Sequence, residues 1–303
     1  MALRIIFMGT PQFAVPCLEI LLKNNYHIVG VVTMPDKAAG RNMQLQFSDV
    51  KKYALEHNLP LLQPEKLKNP DFLAQLTDLK PDLGVVVAFR MLPEIVWNMP
   101  TLGTINLHAS LLPDYRGAAP LNWAIMNGET QTGVSTFFLQ HQIDTGEIIL
   151  QETENISPDD NVGNLHDRLM LKGADLMLKT VQLIEKGTIK TFPQADKVGK
   201  IAPKIFKETC QMDFSKSAIQ LHNFVRGLSP YPAAWTKLNG KICKIFKTQL
   251  VDEHTDAPIG TYISDKKTFL HFVTAKGLLA VEELQLEGRK KMQIADFLRG
   301  NPL

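Results

Sequence analysis

The chain has 303 residues, enough for two domains of ordinary size, and its 45% hydrophobic and 21% charged residues exclude a disordered chain. No apolar run reaches the roughly 18 residues of a membrane helix. Three cysteines, Cys17, Cys210 and Cys243, are too few and too scattered for a disulfide frame or a zinc site, and fit buried thiols in a reducing cytoplasm.

Residues 3–8 form a short apolar run that predicts a strand, and 14–23 predict a helix. Thr10, Pro11, Gln12 and Pro16 interrupt the apolar stretch, and no basic start precedes it, so it reads as strand, turn and helix and not as a signal peptide. Gly9-Thr10-Pro11 carries neither a dinucleotide fingerprint nor a phosphate loop. A second strand at 28–33 leads through a polar loop to a helix at 48–57. Valine-rich 83–89 predicts a strand buried on both faces, and 103–108 and 134–139 predict two more. Helices are expected between them at 71–79, 92–98 and 118–127. Strands alternating with helices imply an α/β fold, a doubly wound and mostly parallel sheet whose site lies at the carboxyl ends of its strands. A long helix follows at 161–186, stopped by Gly187. Residues 188–207, with Pro193, Pro203 and several charges, read as a linker. After a helix at 217–225 come short strands at 234–238, 242–249, 260–263, 268–273 and 278–284, which suggest a small β-barrel. The expected division is a catalytic domain over 1–190, a linker over 191–207 and a C-terminal domain over 208–303.

The net charge of +2 is unevenly spread. From Lys197 onward 17 Lys and Arg stand against 10 Asp and Glu, so the C-terminal third carries +7 and the rest −5. A basic module on an acidic body suits a solvated surface or a polyanionic partner, and charge alone does not decide for the second.

Asn106 and His108 stand two apart on the 103–108 strand, so both side chains share one face near its carboxyl end. They are either satisfied internal polar groups or a reactive pair. Asp144 follows the 134–139 strand in Asp144-Thr145-Gly146. It could reach the imidazole from a neighbouring strand end, or simply cap a turn. An amide, an imidazole and a carboxylate together suit transfer of a formyl group to an amine. The oxyanion of the tetrahedral intermediate needs hydrogen-bond donors, and the attacking amine must lose a proton. No nucleophile elbow is present and no cysteine adjoins a histidine, so a covalent nucleophile is not indicated.

The run Asn106-Leu107-His108-Ala109-Ser110-Leu111-Leu112-Pro113, then Tyr115-Arg116-Gly117-Ala118-Ala119-Pro120 and Asp144-Thr145-Gly146, resembles the folate-dependent formyltransferases. The likeness covers nearly the whole chain, from Phe7-Met8-Gly9-Thr10-Pro11 to Leu228-Ser229-Pro230-Tyr231-Pro232. It implies that Asn106, His108 and Asp144 are the catalytic trio and that Ser110, Leu111, Leu112 and Pro113 hold 10-formyltetrahydrofolate. It implies a pterin pocket lined by the backbone of Val87, Ala88, Phe89, Arg90 and Leu92. By overall layout the resemblance is strongest to the branch acting on initiator methionyl-tRNA. It then implies that Lys37, Arg41 and Lys51 meet the tRNA and that the C-terminal domain is an oligonucleotide-binding-like (OB-like) barrel. A cytoplasmic protein without metal or membrane partner is expected, and nothing in the sequence demands more than a monomer.

The sequence departs from the family in two places. Asn42 stands where the insertion loop usually has a glycine that would bend freely, and Asp49 where it has a proline, which brings a negative charge into the loop. Phe89-Arg90 replaces Tyr-Gly, and Arg90 would pair with the folate glutamate tail or face solvent. The main alternative is formylation of an amino-sugar nucleotide, since such enzymes carry a related barrel. The formyltetrahydrofolate hydrolases usually have an N-terminal regulatory domain, whereas this sequence opens on the catalytic sheet. A non-catalytic RNA-binding protein on the same fold would have no need of the trio.

Overall fold

A computed structural model of the chain describes residues 3–39, 44–195, 199–253 and 255–301. A seven-stranded sheet dominates its first half. The strands are β1 (Arg4–Gly9), β2 (His27–Val32), β3 (Leu61–Leu62), β4 (Leu83–Val87), β5 (Thr104–His108), β6 (Gln131–Phe138) and β7 (Ile148–Asn155), in the order β7-β6-β5-β4-β1-β2-β3. The pairings from β5 through β4, β1 and β2 to β3 are parallel. The central strands β1 and β4 are buried along almost their whole length, which is why they read as unbroken apolar runs.

Helices α1 (Val15–Lys23), α2 (Asp49–Glu56), α3 (Pro70–Asp78) and α4 (Glu94–Trp97) supply the connections between the parallel strands. Local chemistry sets their starts. The Ser48 hydroxyl caps α2 by accepting from the Lys51 N–H at 3.1 Å, a contact worth about 1 kcal/mol. Asp49, which looked like an unwelcome charge in the loop, occupies the first turn of α2, where the helix dipole favours an anion. Asn69 caps α3, with Pro70 in the first turn. Between β2 and α2 the chain makes a short antiparallel hairpin, Lys37–Ala39 with Gln44–Gln46.

β6 departs from the parallel pattern expected of alternating strands and helices. It pairs with β5 antiparallel, with Ile105 opposite Phe138 and His108 opposite Ser135. The helix before it, α5 (Pro120–Met126), is therefore not a parallel crossover. Two compact units account for this. The first comprises Met1–Arg116, Gly133–Glu154 and Asp167–Lys200, and the second Gly117–Thr132, Asn155–His166 and Ile201–Leu303. The segment carrying α5 thus leaves the first unit between β5 and most of β6. The contiguous division at 190 and 208 expected from the sequence lacks these two internal excursions.

The second unit holds a six-stranded sheet consistent with an OB-like domain: β8 (Ala234–Leu238), β9 (Lys241–Val251), β10 (Tyr262–Ser264), β11 (Leu270–Val273), β12 (Leu278–Leu286) and β13 (Met292–Gln293). The order is β8-β9-β12-β11-β10, antiparallel throughout, with β13 on β12. Helix α6 (Val162–Glu185) runs through both units. Helices α7 (Ala218–Leu228) and α8 (Ile294–Gly300) pack on the second sheet. Leu221, Val225, Ile245, Phe272, Leu284 and Phe297 belong to this core. Ser217 and Gln220 form a reciprocal capping box at the start of α7.

Candidate active site

The carboxyl end of β5 carries the central group. His108 is 7% exposed, and its Nε2 lies 2.9 Å from the Tyr115 carbonyl oxygen. A carbonyl can only accept, so this bond requires the proton on Nε2 and leaves Nδ1 as the basic nitrogen of the neutral ring. Nδ1 faces Asp144, with Oδ2 at 3.8 Å. That is too long for a hydrogen bond but well within Coulomb reach in a poorly hydrated setting. Asn106 is half-buried on the same strand, and its amide makes no hydrogen bond among the described residues. Asn106, His108 and Asp144 are thus in one neighbourhood.

Asp144 arrives there by a different route from the one its place in the sequence suggests. Because β6 is antiparallel, its carboxyl end lies beside the start of β5, where Leu139 N donates to Thr104 O at 2.8 Å. The loop over 139–147 must run back toward the far end of β5 to bring Asp144 to His108. Gly146 makes the return possible, since a Cβ there would sit 1.6 Å from the Phe138 carbonyl oxygen. Three residues other than glycine adopt left-handed backbone angles around the site: Ala88 at φ 46°, Tyr115 at 60° and Asp144 at 54°. Such conformations persist where the surroundings over-determine them, and they concentrate at functional sites.

The Ser110–Pro113 turn is fixed from behind. Ser135 Oγ donates to Ser110 O at 2.6 Å and accepts from Leu112 N at 3.1 Å. Gln151 Nε2 donates to Leu112 O at 2.9 Å and to Ser135 Oγ at 2.8 Å. The Ser110 hydroxyl donates to Asp114 O, Leu112 is buried with Phe137 and Ile148, and Leu111 covers Gly133. Three of the four turn side chains therefore serve the fold, while Leu111 and Pro113 are partly exposed.

Beyond β4 the peptide groups of residues 89–92 make no backbone hydrogen bond among the described residues. A stretch of unpaired donors and acceptors at a strand's carboxyl end fits a flat, polar heterocycle edge. Val87 is buried, Ala88 is exposed, and Phe89 and Leu92 pack with the cluster of Phe72, Leu76 and Val96. Arg90 does not simply face solvent. Its guanidinium donates to Glu65 O at 2.8 Å and to Pro64 O, and its Nε is buried without a hydrogen-bond partner among the described residues.

Lys51 corrects a second expectation. Its ammonium is turned inward, bonded to Asp36 Oδ2 at 2.5 Å and Gln63 Oε1 at 3.0 Å, and it lies over the Phe47 ring. With the residue 9% exposed, it is an internal tie at the base of the loop and not a phosphate contact. Arg41 and the side chain of Lys37 lie outside the described residues.

Two further participants leave no local mark in the sequence. One is the Tyr115 carbonyl, because a backbone group has no residue signature. The other is Gln194, inside the expected linker. Its Oε1 accepts from Arg116 Nε at 3.0 Å and Nη2 at 2.6 Å. Its Nε2 donates to the Asp144 and Gly146 carbonyls at 2.9 and 2.8 Å. The neighbouring Pro193 and charges masked this role.

Residues 3–181 match the family described as formyl transferase. The chain belongs to the formyl transferase family. Residues 204–302 of this formyl transferase match the family's C-terminal domain. A methionyl-tRNA formyltransferase of Azobacteroides pseudotrichonymphae is 53% identical over 98% of this chain and 96% of its own length. One from Bacteroides thetaiotaomicron is 52% identical over 98% and 95%. Among solved structures, the sugar 3N-formyl transferase WlaRD, determined with dTDP and 5-N-formyl-THF, superposes with a TM-score of 0.69 at 20% identity. It covers 96% of this chain and all of that one. HypX of Aquifex aeolicus, in complex with tetrahydrofolic acid, gives 0.66 at 20% identity over 98% of this chain, which spans about half the length of HypX (47%). These two likenesses are of fold alone. Among the described residues no cluster of His, Cys, Asp and Glu could hold a metal ion, and no helix is long and apolar enough to cross a membrane.

Proposed function

We propose that this protein transfers the formyl group of 10-formyltetrahydrofolate to the amino group of initiator methionyl-tRNA, giving N-formylmethionyl-tRNA for translation initiation in the cytoplasm. The observation that carries the chemistry is the His108 ring held between the Tyr115 carbonyl and the Asp144 carboxylate, beside an Asn106 amide that makes no hydrogen bond among the described residues. The choice of acceptor is supported by the curated relatives above half identity along nearly the whole chain. Formylation of an amino-sugar nucleotide has only likenesses of fold in its favour.

The folate supplies the formyl group as electrophile. The backbone of residues 89–92 and the turn ending at Pro113 are the surfaces offered to it. Asn106 donates an N–H to the formyl oxygen, where negative charge grows as the amine adds. The Nδ1 of His108 accepts the proton that the amine must lose and gives it up to the folate N10 as the bond from N10 to the formyl carbon breaks, releasing tetrahydrofolate. With both ring nitrogens protonated, the Nδ1 proton faces Asp144, and the Nε2 proton stays on Tyr115 O. Asp144 is thus a counter-charge and not a proton carrier, because its 3.8 Å separation is too long for direct transfer. We further assign tRNA contact to Arg41 and Lys37 and to the basic C-terminal domain, 208–303.

Replacing His108 with Ala is expected to lower turnover by roughly 100-fold or more while the protein stays folded. Single-turnover transfer to methionyl-tRNA measures this. A variant within a few-fold of wild type would remove His108 from the chemistry.

A further inference from the structure

We propose that Gln194 is a positioning residue of the active site, whose amide locks together the two segments that supply the partners of His108. The proposal rests on the roles given above to His108 and Asp144.

The residue lies in a stretch that reads as linker, where a glutamine would ordinarily be solvated. Instead its amide is fully engaged. A glutamine offers two N–H donors and two acceptor lone pairs, and here all four find partners: Arg116 Nε and Nη2 on the oxygen, the Asp144 and Gly146 carbonyls on the nitrogen. The orientation is unambiguous, since a guanidinium can only donate and carbonyls can only accept. Only a primary amide meets both sides. A glutamate could not donate to the carbonyls, and a lysine could not accept from Arg116.

The segment bearing Gln194 is itself tied down. Phe192 and Ile148 exchange backbone hydrogen bonds at 2.8 Å in both directions, and the Thr191 hydroxyl donates to Glu147 at 2.5 Å. Further along, Lys200 O accepts from Tyr115 N at 2.5 Å and Lys200 N donates to Asp114 at 3.1 Å. Gln194 thus bridges the Asp144 loop, on the Nδ1 side of His108, and the Tyr115-Arg116 segment, on its Nε2 side. Both Asp144 and Tyr115 have left-handed backbone angles, uncommon outside glycine, which aspartate tolerates better than tyrosine. An outside restraint on each is what such a conformation needs, and Gln194 provides one for Asp144 directly and one for Tyr115 through its chain neighbour.

The test is a double-mutant cycle. Gln194→Leu removes all four hydrogen bonds at nearly constant size, and Gln194→Glu keeps the Arg116 tie alone. Each is measured in the wild-type and Asp144→Asn backgrounds, with kcat and KM for the folate and the tRNA and with thermal melting as a check of folding. We expect Q194L and Q194E each to lower kcat on the order of 10- to 100-fold, with both KM values within about threefold. In the D144N background Q194L should cost less than about twofold, because the carboxylate it positions is gone. Native kcat in Q194L would overturn the proposal. So would equal fold losses in both backgrounds with D144N itself impaired, which would mark a general structural role and leave the trio intact. Native turnover in D144N would instead bring down the Asp144 assignment, and this proposal with it. Should Q194L fail to fold, Q194E carries the same comparison.

Discussion

Lys51 has its charge drawn inside the protein by two acceptors, Asp36 and Gln63, and this sets the base of the loop that follows β2. The hydrogen bond from the Lys51 ammonium, and then that from Gln63, holds the Asp36 carboxyl below the usual carboxylate range. A depressed carboxylate contributes stability that is present above its unfolded pKa of about 3.9 and is lost as pH falls through the lower folded value. Lys51→Met should therefore melt a few degrees below wild type at neutral pH, and the deficit should shrink once the pH falls below about 4. Thermal melting across that range checks it, and a deficit independent of pH would contradict the charge argument. At this scale legibility depended on which atoms act. Asn106 and His108 were readable because a period of two places them on one face of a strand. Lys51 was misread because a sequence does not show which way a lysine points, and the Tyr115 carbonyl was invisible because every residue has one.

At the scale of elements, the decisive feature is the loop over 139–147. The alternation of strands and helices made a parallel β6 the natural expectation, and a parallel strand would have delivered Asp144 directly to the catalytic edge. The antiparallel β6 ends at the other edge, and the chain covers the distance in a loop that depends on Gly146. Gly146→Ala cannot keep this path, because its Cβ would overlap the Phe138 carbonyl. We expect turnover to fall on the order of 10- to 100-fold, comparable to the loss of Asp144 itself. Single-turnover kinetics on the soluble variant would show it, and native turnover would mean that the loop has slack. The parallel strands β1, β2, β4 and β5 and the capped helices were legible because burial and caps leave local patterns. The strand β7, the two-residue β3 and the direction of β6 were not, since pairing and sense are decided by distant segments.

For the molecule as a whole, the basic C-terminal third and the acidic remainder are facts of the sequence. Lys247 pairs with Glu282 at 2.8 Å and Lys291 with Glu283 at 2.9 Å on the second sheet, pairs whose carboxylates the net +7 already counts. That excess suits the spread negative charge of a nucleic acid better than the two phosphates of a sugar nucleotide. The grouping of 117–132 and 155–166 with the C-terminal residues could not be read from the sequence, because a unit assembled from separated segments leaves no break in composition. The acceptor is decided by offering 10-formyltetrahydrofolate together with equal concentrations of methionyl-tRNA, free methionine and a dTDP-amino sugar in one reaction. Formylmethionyl-tRNA is the expected product, with kcat/KM falling as ionic strength rises. Formylation of the sugar nucleotide alone would contradict that expectation.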